Sequence, residues 1–330
     1  MDFPRFQILF FAAILLVVTA IFLDLESILS ILLLGLTVLC LLYQLWWIIP
    51  YTPLWPREVK PSTDRAIDRK LSILTSNVLA PNRNAAALID LVNEYQPDIL
   101  VTLESDQWWQ DQLKVLEDEM PHTIQCPLDN LYGMHLYSRL PLHDGEISFL
   151  VEEGVPSIHV SVELRSGDRV RAHFLHPAPP SPTENEESTE RDAELIIVAR
   201  SISDSSQPVV IAGDLNDVAW SFTTRLFRKI SGLLDPRIGR GMFNTFHAGY
   251  PLMRWPLDHL FHSHHFTVRT IKRLPSIGSD HFPLFASLTF TPDQKSHEEG
   301  LTAETEDKER AVEITRKKQV SKEDVPEPGE

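Results

Sequence analysis

The chain has 330 residues, 43% hydrophobic and 23% charged, which is too apolar for a disordered protein as a whole and long enough for one or two domains. Its two cysteines, Cys40 and Cys126, lie far apart, which excludes a disulfide framework and a cysteine-rich zinc site. A formal net charge of -16 argues against broad adhesion to phosphate backbones.

Residues 1–60 read as a membrane anchor. No charge occurs between Arg5 and Asp24, or again between Glu26 and Arg57. A spanning helix needs about 20 apolar residues, so two transmembrane helices are expected, near 6–23 and 27–49. Trp46, Trp47, Tyr51 and Trp55 fall where an aromatic belt would meet the interface. The rival for the first run is a cleaved signal peptide. Against it stand a single preceding base, the lack of an A-x-A-like site and the second apolar run that follows at once. The LDLES link is acidic, Arg5 precedes the first span, and Arg57, Lys60, Arg65, Arg69 and Lys70 follow the second. The positive-inside rule therefore favours a multi-pass hairpin in the cell membrane, with both ends and the following domain cytoplasmic.

Residues 61–292 carry 30 acids and 20 bases, a balance of -10, and alternate strands with helices. LSILTSNV (71–78) predicts a strand, then a helix capped by Asn82 or Asn84 runs to Tyr95. DILVTLE (98–104) predicts a second buried strand, and 108–119 another helix. Strands follow at 134–138, 146–151, 158–164 and 170–176, with a turn at Ser166-Gly167-Asp168. A helix over 191–203, a buried strand VVIAGDLN (209–216), a helix over 221–231 and strands near 267–273 and 282–290 complete the domain. Strands outnumber helices and include hairpins, so two packed mixed sheets covered by helices fit better than a doubly wound parallel sheet. Residues 293–330 carry 12 acids and 7 bases with few large apolar residues, and read as a disordered charged tail.

One pattern recurs: an apolar strand runs into a short polar tip. The tips hold Asn77, Glu104, His176, Asp214, Asn216, Asp258, Asp280 and His281. A rigid sheet aims side chains at its strand ends, where ligand sites gather. The set is rich in oxygen donors, contains histidine and has no thiolate, which suits Mg²⁺ or Mn²⁺. Taken singly, Asn77 reads as a turn residue, Asp214 with Asn216 reads as functional ahead of a mere helix cap, and Glu104 at an apolar strand end needs a partner. His259 is expected to point away from Asp258 and to be structural. His262, His264 and His265 read as an exposed loop rather than a transition-metal site. Arg139 fits either the site or a salt bridge, and Arg191 with Asp192 would open a helix.

Taken together, SNV (76–78), ILVTLES (99–105), LYSRLPL (136–142), FLHPAPP (174–180), VIAGDLND (210–217), PLDHLF (256–261) and GSDHFPL (278–284) resemble the endonuclease/exonuclease/phosphatase superfamily, the deoxyribonuclease-I-like fold. The layout is also similar to the superfamily's membrane-anchored bacterial hydrolases. The resemblance implies a four-layer α/β/β/α sandwich of two mixed sheets and metal-dependent cleavage of phosphoester bonds. It implies Glu104 as the main metal carboxylate, with Asn77 beside it and Asp280 completing the polar floor. It implies that Asp214 and Asn216 face the scissile phosphate and the attacking water, that His281 pairs with Asp258, and that His176 touches the phosphate from the other side. By its chemistry, His281 held by Asp258 either takes a proton from the attacking water or stabilises the phosphorane-like state as a cation, and Asp214 is the rival base. An acidic, proline-rich loop over Pro179–Glu190 is placed beside the site.

The expected substrate is a phosphoester, in nucleic acid or in a phospholipid head group. The acidic domain lowers the case for generic action on duplex DNA, and the hairpin raises a sphingomyelinase-like reaction on phospholipid. No protein partner is inferable. The alternative outside catalysis is an inactive membrane scaffold that binds a partner through its acidic tail.

Overall fold

A computed structural model describes residues 2–23, 26–64, 66–179, 189–203, 205–292 and 300–329. Two helices, α1 (Arg5–Phe22) and α2 (Ile28–Ile48), pack along each other and leave most of their apolar side chains exposed. Both are long and apolar enough to cross a membrane.

The domain that follows comprises β1 (Lys70–Asn77), α3 (Ala85–Tyr95), β2 (Ile99–Leu103), α4 (Gln107–Leu113), β3 (His122–Cys126), β4 (Met134–Ser138), β5 (Leu142–Ser148), β6 (Ser157–Glu163), β7 (Arg169–Leu175), α5 (Thr189–Ile202), β8 (Val209–Asp214), α6 (Phe222–Ser231), β9 (Asp258–His262), β10 (Phe266–Arg273) and β11 (Leu284–Phe290). A six-stranded sheet runs β10-β11-β1-β2-β4-β3 and a five-stranded sheet β5-β6-β7-β8-β9. Each contains one parallel pair, β1 with β2 and β7 with β8; the other pairings are antiparallel. The inner faces meet in one core, with Ile73, Val101 and Leu136 against Val160, Phe174 and Ala212. The outer face of the first sheet packs on α3 and α4, and that of the second on α5 and α6. This is the expected four-layer α/β/β/α sandwich. Strands buried on both faces read as continuous apolar runs, which is why β1, β2 and β8 stand out in the sequence.

Four elements depart from expectation. The edge strand β3 and the short β9 were not foreseen: HTIQC mixes polar and apolar residues, and DHLFH carries polar residues at both ends. Strand β5 begins earlier than expected because a register shift between His143 and Glu146 breaks its alternation. Helix α4 stops at Leu113 and tightens into a 3-10 turn over Lys114–Leu116.

The tail expected to be disordered is folded over its described residues, 300–329; residues 293–299 lie outside them. Helix α7 (Thr305–Lys317) packs Ala311 and Ile314 against the α5–α6 layer. Lys229 pairs with Asp307 at 2.8 Å, Lys318 pairs with Glu190, and Arg171 donates to the carbonyl of Pro326 at 3.1 Å. Composition counts apolar residues; it does not register that three of them, Ala311, Ile314 and Val325, meet a face already waiting for them.

The hairpin is docked on the domain. Trp220 Nε1 donates to the carbonyl of Asp2 at 2.8 Å, Trp255 Nε1 to that of Phe3 at 2.6 Å, and Tyr51 Oη to that of Ala219 at 2.7 Å. Tyr51 is buried, and Trp47 lies under the guanidinium groups of Arg5 and Arg225. These two aromatics serve the docking, whereas Trp46 and Trp55 are exposed.

Candidate active site

The two parallel pairs decide where the polar tips meet. Strand β8 lies across the sandwich from β1 and β2, so the carboxyl ends of β1, β2, β7 and β8 open on one place. Asn77, Glu104, His176 and Asp214 stand at those ends. Asp258 opens β9 directly opposite Asp214, and His281 comes in from the turn before β11. Gly213 permits the close approach of β7 and β8: a Cβ there would lie 1.9 Å from the carbonyl oxygen of Leu175.

Asn77 Oδ1 accepts from the backbone of Leu79 at 3.1 Å, which turns its amide toward two carboxylates. Nδ2 donates to Glu104 Oε1 at 2.7 Å and to Asp214 Oδ2 at 3.3 Å. Glu104 sits in the left-handed region, φ 56°, as the chain leaves β2. Its Oε2 is buried and has no hydrogen-bond partner among the described residues. Burial pushes its carboxyl up to about 7; the Asn77 hydrogen bond opposes this, and the charges of Asp214 and Asp280 add to it.

His281 lies between two carboxylates. Nδ1 is 2.8 Å from Asp258 Oδ2 and Nε2 is 3.4 Å from Asp214 Oδ2. Burial alone would lower its pKa, but Asp214 and Asp258 outweigh burial and raise it to about 10. The ring packs on Phe246 at 4.9 Å between centroids, and the Asp258 backbone donates to Thr245 Oγ1 at 3.2 Å. Burial raises the pKa of Asp214, with the charge of His281 opposing. Asp280 is half-buried, accepts from Ser279 Oγ at 3.3 Å, and faces Glu104 and His281 electrostatically.

His176 is buried, with Nδ1 unpartnered among the described residues, and lies 5.4 Å from the ring of Tyr132. Burial pushes its pKa down to about 4, so it stays neutral. Asn216, also left-handed at φ 52°, donates through its backbone to Asp214 Oδ1 at 2.9 Å and through Nδ2 to the carbonyl of Pro177 at 3.0 Å. All eight polar-tip residues thus come to one end of the sandwich. The proline-rich loop lies outside the described residues over 180–188.

Other expectations resolve differently. Arg139 forms a salt bridge with Glu119 at 2.7 Å and belongs to the structure. His259 is buried between Arg237 and the carbonyl of Asp217. His262 is buried at the end of β9 rather than exposed, while His264 is exposed. Arg191 has a further task that helix position alone did not reveal: its guanidinium donates to the carbonyl of Asn216 at 2.8 Å and lies 3.7 Å from Asp217, holding the GDLND tip. Phe246 and Thr245 carried no signal, because they sit in an irregular segment remote in sequence from His281.

A cation fits this place. Asp214, Asp258 and His281 offer donor atoms within 4.8 Å of one another. The two ring nitrogens are already spent on those carboxylates, and a protonated imidazole is itself their cation. The unmet demand is at Glu104: its Oε2 has no hydrogen-bond partner among the described residues, and the charges of Asp214 and Asp280 oppose its ionisation, with only the charge of His281 favouring it. Carboxylate oxygens such as those of Glu104 and Asp280 are the donors that Mg²⁺ or Mn²⁺ prefers.

A model described as Endonuclease/Exonuclease/phosphatase family matches residues 74–281. Among solved structures, D. rerio TDP2 complexed with single-strand DNA product is 18% identical, with TM-score 0.56, covering 67% of this chain and all (100%) of that one. The human Nocturnin catalytic domain with bound sulfate is 19% identical, with TM-score 0.55, covering 68% and 96%. An endonuclease/exonuclease/phosphatase from Beutenbergia cavernae is 18% identical, with TM-score 0.54, covering 68% and 72%. A search of curated protein sequences finds no match.

Proposed function

Because the chain belongs to the endonuclease/exonuclease/phosphatase family, we propose that this metal-dependent phosphoester hydrolase is a phosphodiesterase anchored in a membrane by α1 and α2. The anchor would occupy residues 1–60 as a multi-pass hairpin with the domain on the cytoplasmic side, and the catalytic domain 61–292. The single observation that carries the reading is the unpartnered Oε2 of Glu104 at the meeting point of four strand ends.

In this reading Glu104 and Asp280 hold Mg²⁺ or Mn²⁺, and Asn77 helps by orienting the Glu104 carboxylate. The ion, when bound, neutralises charge that develops on the phosphoryl oxygens. His281, held by Asp258 and positively charged, stabilises the same oxygens from within the protein. With His281 protonated, Asp214 is the group left to take a proton from water, and its raised pKa suits that role. Asn216 fixes Asp214 and the 177 turn, and neutral His176 offers a hydrogen bond to the phosphate.

Two substrate classes remain supported. A structural neighbour holds single-strand DNA product, which favours nucleic acid. The docking of Phe3 and Asp2 on Trp255 and Trp220, beside the Phe246 segment, favours a phospholipid head group. The family membership, and the packing of the tail on α5 and α6 over its described residues, favour the enzyme over the scaffold alternative.

The test is hydrolysis of bis-p-nitrophenyl phosphate by the full chain in detergent. Turnover with Mg²⁺ or Mn²⁺ that EDTA abolishes supports the reading; turnover unchanged by EDTA overturns it. Plasmid DNA, single-stranded DNA and sphingomyelin vesicles, offered in parallel, separate the substrate classes.

A further inference from the structure

We infer that the groove between α1 and the 250–254 loop binds an anionic phospholipid of the surrounding bilayer, with its phosphate on Arg254 and Arg273 and an acyl chain on Phe6, Phe10 and Phe11. The inference rests on the reading that α1 enters a bilayer, and goes beyond it by naming a bound lipid.

The groove has a volume of about 390 Å³ and combines two chemistries. One wall is apolar: Phe10, Phe11 and Leu252 are 54%, 66% and 83% exposed, a patch that water would not leave bare. The other wall is cationic. Arg254 and Arg273 both stack on the ring of Phe282, at 4.9 and 4.4 Å. Their hydrogen bonds go to the backbone carbonyls of Ala248 and Asn244, at 3.0 and 2.9 Å. Neither forms an ion pair among the described residues, and Arg254 Nε is buried without a partner. Two neighbouring guanidinium groups repel unless an anion lies between them, and a phosphate accepts from such a pair in fork geometry.

A free phosphate would leave the phenylalanine wall bare, and a neutral lipid would leave the arginines unpaired. An amphiphile with an anionic phosphate head satisfies both. Its position follows from the helix. The groove begins at Phe6, the second residue of α1, where a span leaves the hydrocarbon and meets the head groups.

Occupancy would also brace the active site. Arg254 holds the carbonyl of Ala248, the Ala248 backbone donates to the carbonyl of Asp280 at 2.6 Å, and Phe246 packs on His281. A lipid fixed on Arg254 and Leu252 therefore steadies the segment against which His281 rests.

The experiment uses the full chain, delipidated in detergent. Flotation with neutral phosphatidylcholine vesicles first tests the membrane reading by itself. Native mass spectrometry then measures phosphatidylglycerol against phosphatidylcholine retained. Preferential retention of phosphatidylglycerol by the wild type, reduced about tenfold in Arg254→Gln/Arg273→Gln and unchanged in the remote control Lys114→Gln, supports the inference. Circular dichroism should show all three chains folded; the double variant gives up the Ala248 and Asn244 hydrogen bonds, so its thermal midpoint falls below the other two. Failure to float overturns the anchor and the groove together. Normal flotation with equal retention of the two lipids, or with retention unchanged in the double variant, overturns the groove alone.

Discussion

The side-chain amide of Asn77 donates to Oε1 of Glu104 at 2.7 Å, tying the ends of β1 and β2 and leaving Oε2 of the same carboxylate without a hydrogen-bond partner among the described residues. One oxygen is held and the other is offered. That division is what a metal-binding carboxylate requires: its orientation is fixed by a neighbour that does not consume its charge.

Asn77→Ala should therefore weaken Mn²⁺ binding about 10- to 100-fold without unfolding the chain. Titration of Mn²⁺ followed by electron paramagnetic resonance reads this directly. Unchanged affinity would mean that Glu104 is oriented by something else.

Asp258→Asn should lower the basicity of His281, because the carboxylate 2.8 Å from Nδ1 is one of the two groups that hold its proton. Turnover at neutral pH should fall about 10²- to 10⁴-fold. The ¹⁵N shifts of the ring should report loss of the imidazolium over a pH range where the wild type keeps it. A protonated ring in both proteins would contradict the assignment.

In the metal-free protein Glu104 and His281 should each contribute stability that is lost as pH rises, superimposed on buried neutral histidines such as His176, whose lowered pKa acts in the opposite direction below 6.5. Glu104 binds its proton more tightly folded, at about 7, than at its ordinary 4.5, so its contribution is present below 4.5 and is lost as pH rises through 7. His281, raised from 6.5 to about 10, contributes fully below 6.5 and loses that contribution toward 10. Both slopes have the same sign. Mg²⁺ favours the ionised form of Glu104 and should flatten the lower window only. Thermal midpoints measured across these windows in EDTA and in Mg²⁺ check it; parallel curves with and without the ion would contradict a metal at Glu104.

Ile314→Ala should cost about 2 kcal/mol, because Ile314 is buried against the α5–α6 layer. Denaturant unfolding of the full chain measures this. No change would restore a tail that contributes nothing to the fold.

Much of this site is legible in the sequence because its donors stand at the ends of apolar strands. SNV, LES and GDLN announce themselves by the abrupt change from buried strand to polar tip. What brings them together is less legible. The two parallel pairs are set by register, and the approach of β8 to β1 and β2 is a property of the whole sandwich. Phe246 and Arg191 act through packing and backbone contacts, which leave no local pattern. The C-terminal helix escaped because three apolar residues are too few to stand out in a charged segment, yet enough when ion pairs such as Lys229–Asp307 fix the rest. Strand β3 escaped because an edge strand with one open face need not alternate cleanly.

The most direct measurement is Mg²⁺-dependent turnover of bis-p-nitrophenyl phosphate by the wild type, Glu104→Ala and His281→Ala, with folding of each verified by circular dichroism. If one cation and one phosphate are handled where these strand ends meet, each substitution should remove at least about 100-fold of the rate while the fold persists. Equal rates in all three folded proteins would contradict it.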